Sequence, residues 1–251
     1  MRIYEYQRNY ELEQSYWWFV GVRAMIKTML SLSLGDSRLG TVLDVGCGTG
    51  ALLDQLRDRA RQVWGVDGSQ EALRYCRLRG HQNIMLAEAC CLPFASERFD
   101  AILAIGLIEH LEDDAAFLVE MKRVLKPNGV LVLLTSSFPY LWSAHDTANE
   151  HRRRYYLRPL NRKINAHGFA TIRFSHLNFF LFPILAAMLL AHGQIFKSTV
   201  DDPQRILPLP PRVINFVLTK LLLLESRLMR WLSFPWGISM IGAFRKLPCE
   251  N

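Results

Sequence analysis

The sequence lacks any uninterrupted apolar run of about 18 residues, which argues against an ordinary membrane-spanning helix. Its five cysteines are odd in number and show no CxxC spacing, so neither a disulfide framework nor a zinc knuckle is indicated. The first residues, MRIYEYQRNYELEQ, are too polar for a secretory signal, and together these features predict a cytoplasmic protein. Half of the 251 residues are apolar and 21% are charged, which excludes a disordered or fibrous chain.

Acidic residues are missing between His151 and Val200, whereas the same stretch carries eight basic residues. Such a block is typical of a solvated face, but it also suits an anionic partner such as a phosphate, a nucleic acid or a membrane surface. No base-flipping tetrapeptide and no recognised RNA-binding module accompanies it, so we do not expect a nucleic-acid partner.

Short apolar runs alternate with amphipathic stretches between Thr41 and Ser137, a pattern that predicts an α/β fold with a parallel sheet covered on both faces. Ser69 is the expected N-cap of one helix, and Lys126–Gly129 is expected to turn from a helix into a strand. Upstream, a helix is predicted from Val22 to Leu34, directly after the aromatic cluster Tyr16–Phe19.

Two further strands are predicted at Phe169–His176 and Ile238–Lys246, and about sixty residues of high mean hydropathy separate them. The chain therefore divides into an N-terminal helical cap at 1–38, a core at 39–176, a hydrophobic insertion at 177–237, and a final strand and tail at 238–251.

The insertion contains two apolar stretches. The apolar run Phe179–Ala191 has no charged or polar side chain, and Pro183 lies within it. Its length suits a buried or interfacial segment better than a membrane-spanning helix. Val213–Leu232 is predicted to be a helix with a broad apolar face and one narrow polar sector. The apolar face must cover substrate, a partner chain or lipid, because a large exposed patch promotes association. The polar sector holds Asn215, Thr219, Ser226 and Arg230; Lys220 and Arg227 widen it, and only Glu225 lies off it.

A glycine-rich turn follows the first predicted strand in VLDVGCGTG, residues 42–50. Such a turn lets the backbone approach a ligand closely, and a helix N-terminus behind it favours anionic or polar groups. Asp67 closes the next strand, where a carboxylate can accept both hydroxyls of a ribose. Glu88 follows the third strand and can accept a hydrogen bond from an exocyclic amine.

In order and spacing, VLDVGCGTG, VWGVDGS, AEACCLPF…ERFDAILAIGLIEHL and LKPNGVLVLLTSS resemble the motifs of class I S-adenosylmethionine (SAM)-dependent methyltransferases, type 11-like, across residues 41–137. The resemblance implies a Rossmann-like sheet of seven strands with the last one antiparallel, and SAM as cofactor. Many relatives have Asp where this chain has Glu88, and the longer carboxylate is expected to serve the same amine. The implied SAM-binding residues are Asp44, Gly46, Cys47, Gly48, Gly50, Asp67, Gly68, Glu88 and Ala89.

The acceptor side is predicted from two polar segments. Glu109 and His110 follow the fourth strand, where family members present residues to the reacting centre; Gly106 stands where metal-binding relatives carry Glu, so no metal is expected. After the fifth strand come His145, Asp146 and His151. A neutral His beside Asp is a suitable general base, so His145 is the first choice and His110 the second.

The chain also resembles, more weakly, methyltransferases of cell-surface polysaccharide and lipid-linked pathways, through WWF near the start and HD…H-RRY after the fifth strand. This likeness makes Trp18, Arg153 and Tyr155 candidates for binding the acceptor. We expect methyl transfer to a hydrophobic or lipid-linked acceptor, at oxygen, with peripheral contact to the inner face of a membrane. The alternatives are a soluble small-molecule methyltransferase with a hydrophobic lid, and a SAM-binding protein without turnover.

Overall fold

The computed structural model describes residues 3–195 and 210–248, and they build one seven-stranded sheet flanked by helices. The strands are β1 Leu39–Val45, β2 Ala60–Asp67, β3 Ile84–Leu86, β4 Phe99–Ile105, β5 Leu125–Ser136, β6 Phe169–Leu177 and β7 Ser239–Lys246. The helices are α1 Ile3–Leu12, α2 Trp17–Leu34, α3 Ala51–Arg57, α4 Gln70–Leu78, α5 Asp114–Val124, α6 Ala144–Ala148, α7 Leu157–Ala166, α8 Phe182–Ile195 and α9 Arg212–Leu228, with a 3-10 turn at Pro139–Leu141.

The strand order is β3-β2-β1-β4-β5-β7-β6, and only β7 runs antiparallel to its neighbours. This confirms the predicted Rossmann-like fold class, including the helical insertion between β6 and β7. Helices α2, α3 and α9 cover one face of the sheet, and α5 and α7 cover the other. Because β1, β2, β4 and β5 are parallel, the loops after them meet at one edge, which is where ligands bind in open α/β sheets.

One predicted boundary was wrong: helix α2 begins at Trp17 rather than Val22, so most of the aromatic cluster lies in its first turn. Pro183, which interrupts the apolar run, lies in the first turn of α8, where a proline removes no hydrogen bond that the helix needs. Strand β5 already begins at Leu125 and contains the predicted turn at Lys126–Gly129 as a bulge: its pairing with β4 jumps from Phe99–Leu125 to Ala101–Val130, and Asn128 has a φ of 61°.

Among the described residues, no helix combines the length and apolar composition that crossing a bilayer requires.

Helices α2 and α9 pack closely because Gly21 has no side chain. A Cβ atom added at Gly21 would lie 2.3 Å from Cδ1 and 2.6 Å from Cβ of Leu222. The Cβ contact cannot be relieved by a rotamer change, so one helix must move. We expect Gly21→Ala to lower the free energy of unfolding by about 1–3 kcal/mol, measured by urea denaturation.

The partner substitution provides the control for Gly21→Ala. Leu222→Ala alone should cost about 2–5 kcal/mol because it leaves a cavity. The double variant should lose less than the sum, since the alanine at position 222 removes the Cδ1 part of the clash, although its Cβ still keeps the two helices apart. Strict additivity would contradict this account of the contact.

Candidate functional site

The glycine-rich turn after β1 leaves its backbone open on one side. Gly46, Gly48 and Gly50 have φ angles of 75°, 54° and 86°, which side chains other than glycine rarely adopt. The amide of Gly46 is fixed to the carbonyl of Val66 at 2.8 Å. A Cβ atom added at Gly48 would meet no atom within 4 Å, and the same holds for Gly106 after β4. Open space therefore lies against the backbone of two neighbouring loops.

Asp44, in β1, carries a buried carboxyl group with 2% of its surface exposed. Burial raises its pKa to about 8, and the negative charges of Asp67 and Glu13 add to the shift. Its side chain has no hydrogen-bond partner among the described residues. A buried carboxylate in this state favours a cationic ligand, which would supply the missing partner.

Asp67, at the end of β2, holds the glycine turn against the next helix. Its two oxygens accept hydrogen bonds from the amides of Gly48 and Ser69, each at 2.9 Å. Burial nevertheless raises the pKa of Asp67, with backbone hydrogen bonds opposing the shift. Glu88 is exposed, and one of its oxygens lies 3.5 Å from a Cβ atom added at Gly68, whereas Ala89 is buried. The predicted carboxylates thus follow β1, β2 and β3 along one edge.

The thiol of Cys47 faces the protein interior. It lies 3.9 Å from the sulfur of Cys76, and both cysteines are free and buried. Its amide bonds the carbonyl of Val66 at 3.0 Å. Cys47 therefore holds the turn in place through its packing and its backbone.

Glu13, between α1 and α2, is a site residue that the sequence analysis missed. It accepts a short hydrogen bond from the hydroxyl of Thr49 in the glycine turn and a 3.2 Å hydrogen bond from Arg79. Burial raises the pKa of Glu13. No local signal identifies it, because 36 residues separate it from Thr49. The N-terminal segment thereby lies over the glycine turn.

Asp146 organises the second group of candidate residues, in the loop after β5. It is fully buried and accepts from Nδ1 of His151 at 2.9 Å and from Arg154 at 2.7 and 2.8 Å. Burial alone would raise the pKa of Asp146, but the hydrogen bonds from His151 and Arg154 outweigh it and hold the pKa well below its usual range. The expected pairing of Asp146 with His145 is not observed; the carboxylate bonds His151 instead.

Three imidazoles surround this carboxylate. The ring of His151 lies 4.7 Å from that of His110 and 6.4 Å from that of His145, edge to face in both cases. Burial lowers the pKa of His110 to about 4, helped by His151, and it lowers the pKa of His145 to about 4 against the attraction of Asp146. His110 and His145 are therefore neutral at neutral pH. Nε2 of His151 has no hydrogen-bond partner among the described residues.

Glu109 is buried behind the imidazoles and connects β4 to β5. Its carboxyl group accepts from the hydroxyl of Thr135 at 2.8 Å and from the amide of Ser136 at 3.3 Å. Its carbonyl accepts from the amide of Arg152 at 2.8 Å. Burial raises the pKa of Glu109. These contacts fix the position of the loop that carries His151.

The three predicted acceptor-binding residues make contacts within the protein. Arg153 donates to the carbonyls of Leu111 and Glu112 at 3.2 and 2.9 Å, and Tyr155 donates to Asp114 at 3.1 Å. Trp18 belongs to α2, is half-buried, and packs against the hydrophobic core that α2 covers. Their role toward an acceptor stays a prediction. No group of three or more His, Cys, Asp or Glu side chains within residues 3–195 and 210–248 is arranged to hold a metal ion.

Comparisons with known proteins agree with this architecture. Residues 43–133 match the family model of the methyltransferase domain. The chain is 37% identical over 98 residues to the ubiquinone biosynthesis O-methyltransferase of Bradyrhizobium diazoefficiens, a match that covers 38% of this chain. The match spans 39% of that relative's length, so it concerns the methyltransferase domain rather than the whole protein.

Solved structures share the fold over most of the chain. A chain from the complex of the Haloferax volcanii Trm112 methyltransferase activator superposes with a TM-score of 0.62 at 16% identity, covering 98% of this chain and 96% of that one. Phosphoethanolamine N-methyltransferase 2 of Haemonchus contortus, solved with S-adenosyl-L-methionine, gives a TM-score of 0.57 at 16% identity, covering 88% of this chain and 52% of that one. At these identities the likeness establishes the fold.

Proposed function

We propose that this chain, which carries a class I SAM-dependent methyltransferase domain at residues 43–133, transfers the methyl group of SAM to a hydroxyl oxygen of a hydrophobic or lipid-linked acceptor. The observation that carries the proposal is the pairing of two sites at one sheet edge. At β1, the glycine turn borders open space and the buried carboxyl group of Asp44 has no partner among the described residues. After β5, the carboxylate of Asp146 pairs with the imidazole of His151.

The residues after β1 to β3 fit SAM by charge and by shape. SAM carries a positive sulfonium and an ammonium group, and Asp44 is a buried carboxyl group without a partner among the described residues. Gly48 leaves space that any side chain would fill. Asp44 with Gly46, Gly48 and Gly50 would hold the methionine end, Asp67 and Gly68 the ribose, and Glu88 and Ala89 the adenine. Bound there, SAM supplies a methyl group activated for in-line displacement.

His151 is the best candidate for the general base. Asp146 accepts from its Nδ1, which fixes the ring and leaves the lone pair on Nε2 free to take a proton from an acceptor hydroxyl. Arg154 keeps Asp146 ionised and in place. His145 and His110 remain alternatives, because both are neutral and the ring of each lies next to the ring of His151.

Exposed aromatic side chains beside this loop support a hydrophobic acceptor. Tyr140, Trp142 and Tyr156 are 55%, 40% and 47% exposed, and they flank the segment that carries Asp146 and His151. Phe138 next to them has a φ of 58°, and its ring stacks on His176 at 5.0 Å. Backbone strain at a non-glycine residue is common at ligand sites. Methylation at oxygen is also what the name of the Bradyrhizobium relative states of that protein.

The proposed location is the cytoplasm, with peripheral contact to the inner face of the membrane. The free thiols of Cys47, Cys76, Cys90 and Cys91 support a reducing compartment. The proposed function is tested by incubating the purified protein and its His151→Ala variant with deuteromethyl SAM and with lipid and soluble extracts. Mass spectrometry should find labelled product in the lipid extract with the wild type. Intact SAM binding with no labelled product in any extract would favour a SAM-binding protein without turnover.

Replacing Asp67 by alanine is expected to weaken SAM binding at least about tenfold. The change removes a charged acceptor for ribose hydroxyls, and hydrogen bonds to charged groups are worth about 1.5–3 kcal/mol each. Calorimetric titration with SAM measures the effect. Asp58→Ala is the matched control, because Asp58 is an exposed carboxylate at the end of α3. Unchanged affinity in a folded Asp67→Ala variant would remove Asp67 from the site.

A further inference from the structure

Helix α9 packs with its uncharged polar residues and its one acid inward, which is unusual for a surface helix. The amide of Asn215 donates to the carbonyl of Ser15 at 2.9 Å, and its oxygen accepts from the amide of Trp17 at 3.0 Å. The hydroxyl of Ser226 lies 3.0 Å from that of Thr28. These bonds, together with the Gly21–Leu222 contact, fix the rotation of α9 on α2.

Glu225 strengthens this fixed orientation from the other end of the helix. It is fully buried, and its carboxyl group accepts from the amide of Phe179, just before α8, at 3.1 Å. The only acid of α9 is therefore turned away from solvent. The inward face of α9 thus combines Asn215, Glu225 and Ser226 with the buried Leu222, whereas other large apolar side chains of the helix remain exposed.

The outward face of α9 forms a continuous stripe with helical spacing. Its members recur every three or four residues and are large, apolar or cationic, with 74% of Val213 and 72% of Trp231 exposed. At 1.5 Å per residue the stripe is about 25 Å long. We call it the α9 stripe; it consists of Val213, Phe216, Val217, Lys220, Leu224, Arg227 and Trp231. Ile184 and Met188 of α8 are also exposed.

The charged side chains of the stripe itself are all basic. Lys220 and Arg227 lie within it, and Arg212 and Arg230 are exposed at its ends. Within residues 151–195 and 210–248 the sole carboxylic side chain is Glu225, which is buried. The ammonium of Lys220 lies 5.1 Å from the ring centre of Phe216, so its stem covers apolar surface while its charge stays at the rim.

The exposed apolar side chains and the basic residues of the α9 stripe together indicate what kind of partner can cover it. A closed lid over the active site would turn its apolar face toward the protein, whereas the α9 stripe faces away. In a symmetric dimer, both copies of Lys220 and Arg227 would lie in one interface, and the stripe has no carboxylate to pair with them. An anionic bilayer supplies both an apolar interior and negative headgroups.

We propose that the α9 stripe docks the protein on an anionic membrane, with α9 lying in the interface and its apolar side chains inserted among the acyl chains. The purpose of this docking, delivery of a lipid-linked acceptor, rests on the proposed function; the docking itself depends only on the surface.

Co-sedimentation of the full chain with lipid vesicles tests the inference. The vesicles are made of phosphatidylcholine alone or of phosphatidylcholine with phosphatidylglycerol, at low and at high salt. We expect binding to the anionic vesicles that weakens with salt. Lys220→Glu combined with Arg227→Glu should lower the partition coefficient at least about tenfold, and Phe216→Asp should have a similar effect. The matched controls are Val119→Asp on α5 and Arg77→Glu on α4, which change equally exposed residues elsewhere and should leave binding unchanged.

Two results would overturn the inference. One is the absence of binding to anionic vesicles at low salt. The other is a wild-type dimer in light scattering that Phe216→Asp converts to monomer, which would assign the stripe to a second copy of the chain. SAM titrations of the same preparations keep the two proposals separate, because intact SAM binding without vesicle binding rejects the membrane surface alone.

Discussion

His151→Ala is expected to lower the turnover of methyl transfer by about 100-fold or more, the usual contribution of a positioned general base. The reason is its bond to Asp146: among the three clustered histidines, the described contacts pair only His151 with a carboxylate. Initial rates with saturating SAM and the acceptor identified from the labelling experiment measure the effect. The affinity for SAM should change little, since the imidazole lies after β5 and the glycine turn after β1.

His145→Ala and His110→Ala are the matched controls for this prediction. Both remove a neutral, partly buried imidazole from the same cluster, so they reproduce the packing loss without removing the Asp146 partner. Each should reduce turnover less than His151→Ala does. If His145→Ala abolishes turnover while His151→Ala leaves it intact, the base is His145, as its position beside Asp146 in the sequence suggests.

The cofactor side of the site could be predicted because its determinants are local. The glycines of residues 46–50 and Asp67 lie at strand ends that apolar runs identify, and a parallel sheet brings such ends to one edge. Ser69 was predicted as an N-cap for the same reason, and its hydroxyl accepts from the amide of Ala72. Short-range chemistry and strand direction are sufficient for these residues.

The pairing of Asp146 could not be predicted from adjacency. His145 and Asp146 are consecutive in α6, and consecutive residues of a helix point in different directions. The chain then turns back, and the amide of His151 bonds the carbonyl of Asp146 at 2.9 Å, which brings the ring of His151 onto the carboxylate. That turn depends on the capping box of Ser143 with Asp146 and on Arg154, whose role no spacing rule reveals.

Long-range partners account for the remaining errors. Helix α2 begins at Trp17 because Asn215, 198 residues away, accepts from its amide. Periodicity predicts a polar sector on α9, but it does not show which way that sector faces, and Lys220 and Arg227 lie among the exposed apolar residues instead. The direction is decided by Asn215 and Ser226 bonding to α2, and these contacts exist only in the folded chain.

The free energy of unfolding of the SAM-free protein is expected to fall between about pH 4 and pH 8 through Asp44. Burial raises the pKa of Asp44 to about 8 in the folded protein, against 3.8 for an ordinary aspartate, so in this interval the folded chain holds a proton that the unfolded chain has lost. Stability then decreases with rising pH, by about 1 kcal/mol per pH unit. Asp44→Asn keeps the shape without the charge, so urea denaturation should show the variant gaining stability over the wild type as pH rises. Asp58→Asn, at an exposed carboxylate, should show no such trend.

The ionisation of Asp44 can also be tested through SAM binding, which should favour its charged form. A cationic ligand beside Asp44 favours the ionised carboxylate, so at pH 7 binding should release about one proton, and the affinity for SAM should rise as pH approaches 8. The number of protons released is measured by titration calorimetry in several buffers, because the binding enthalpy changes with the ionisation enthalpy of the buffer in proportion to it. Asp44→Asn should abolish the release and weaken binding at least about tenfold. A variant that is stabilised at pH 8 and still binds SAM with wild-type affinity would show that the buried charge of Asp44 serves another purpose than holding the cofactor.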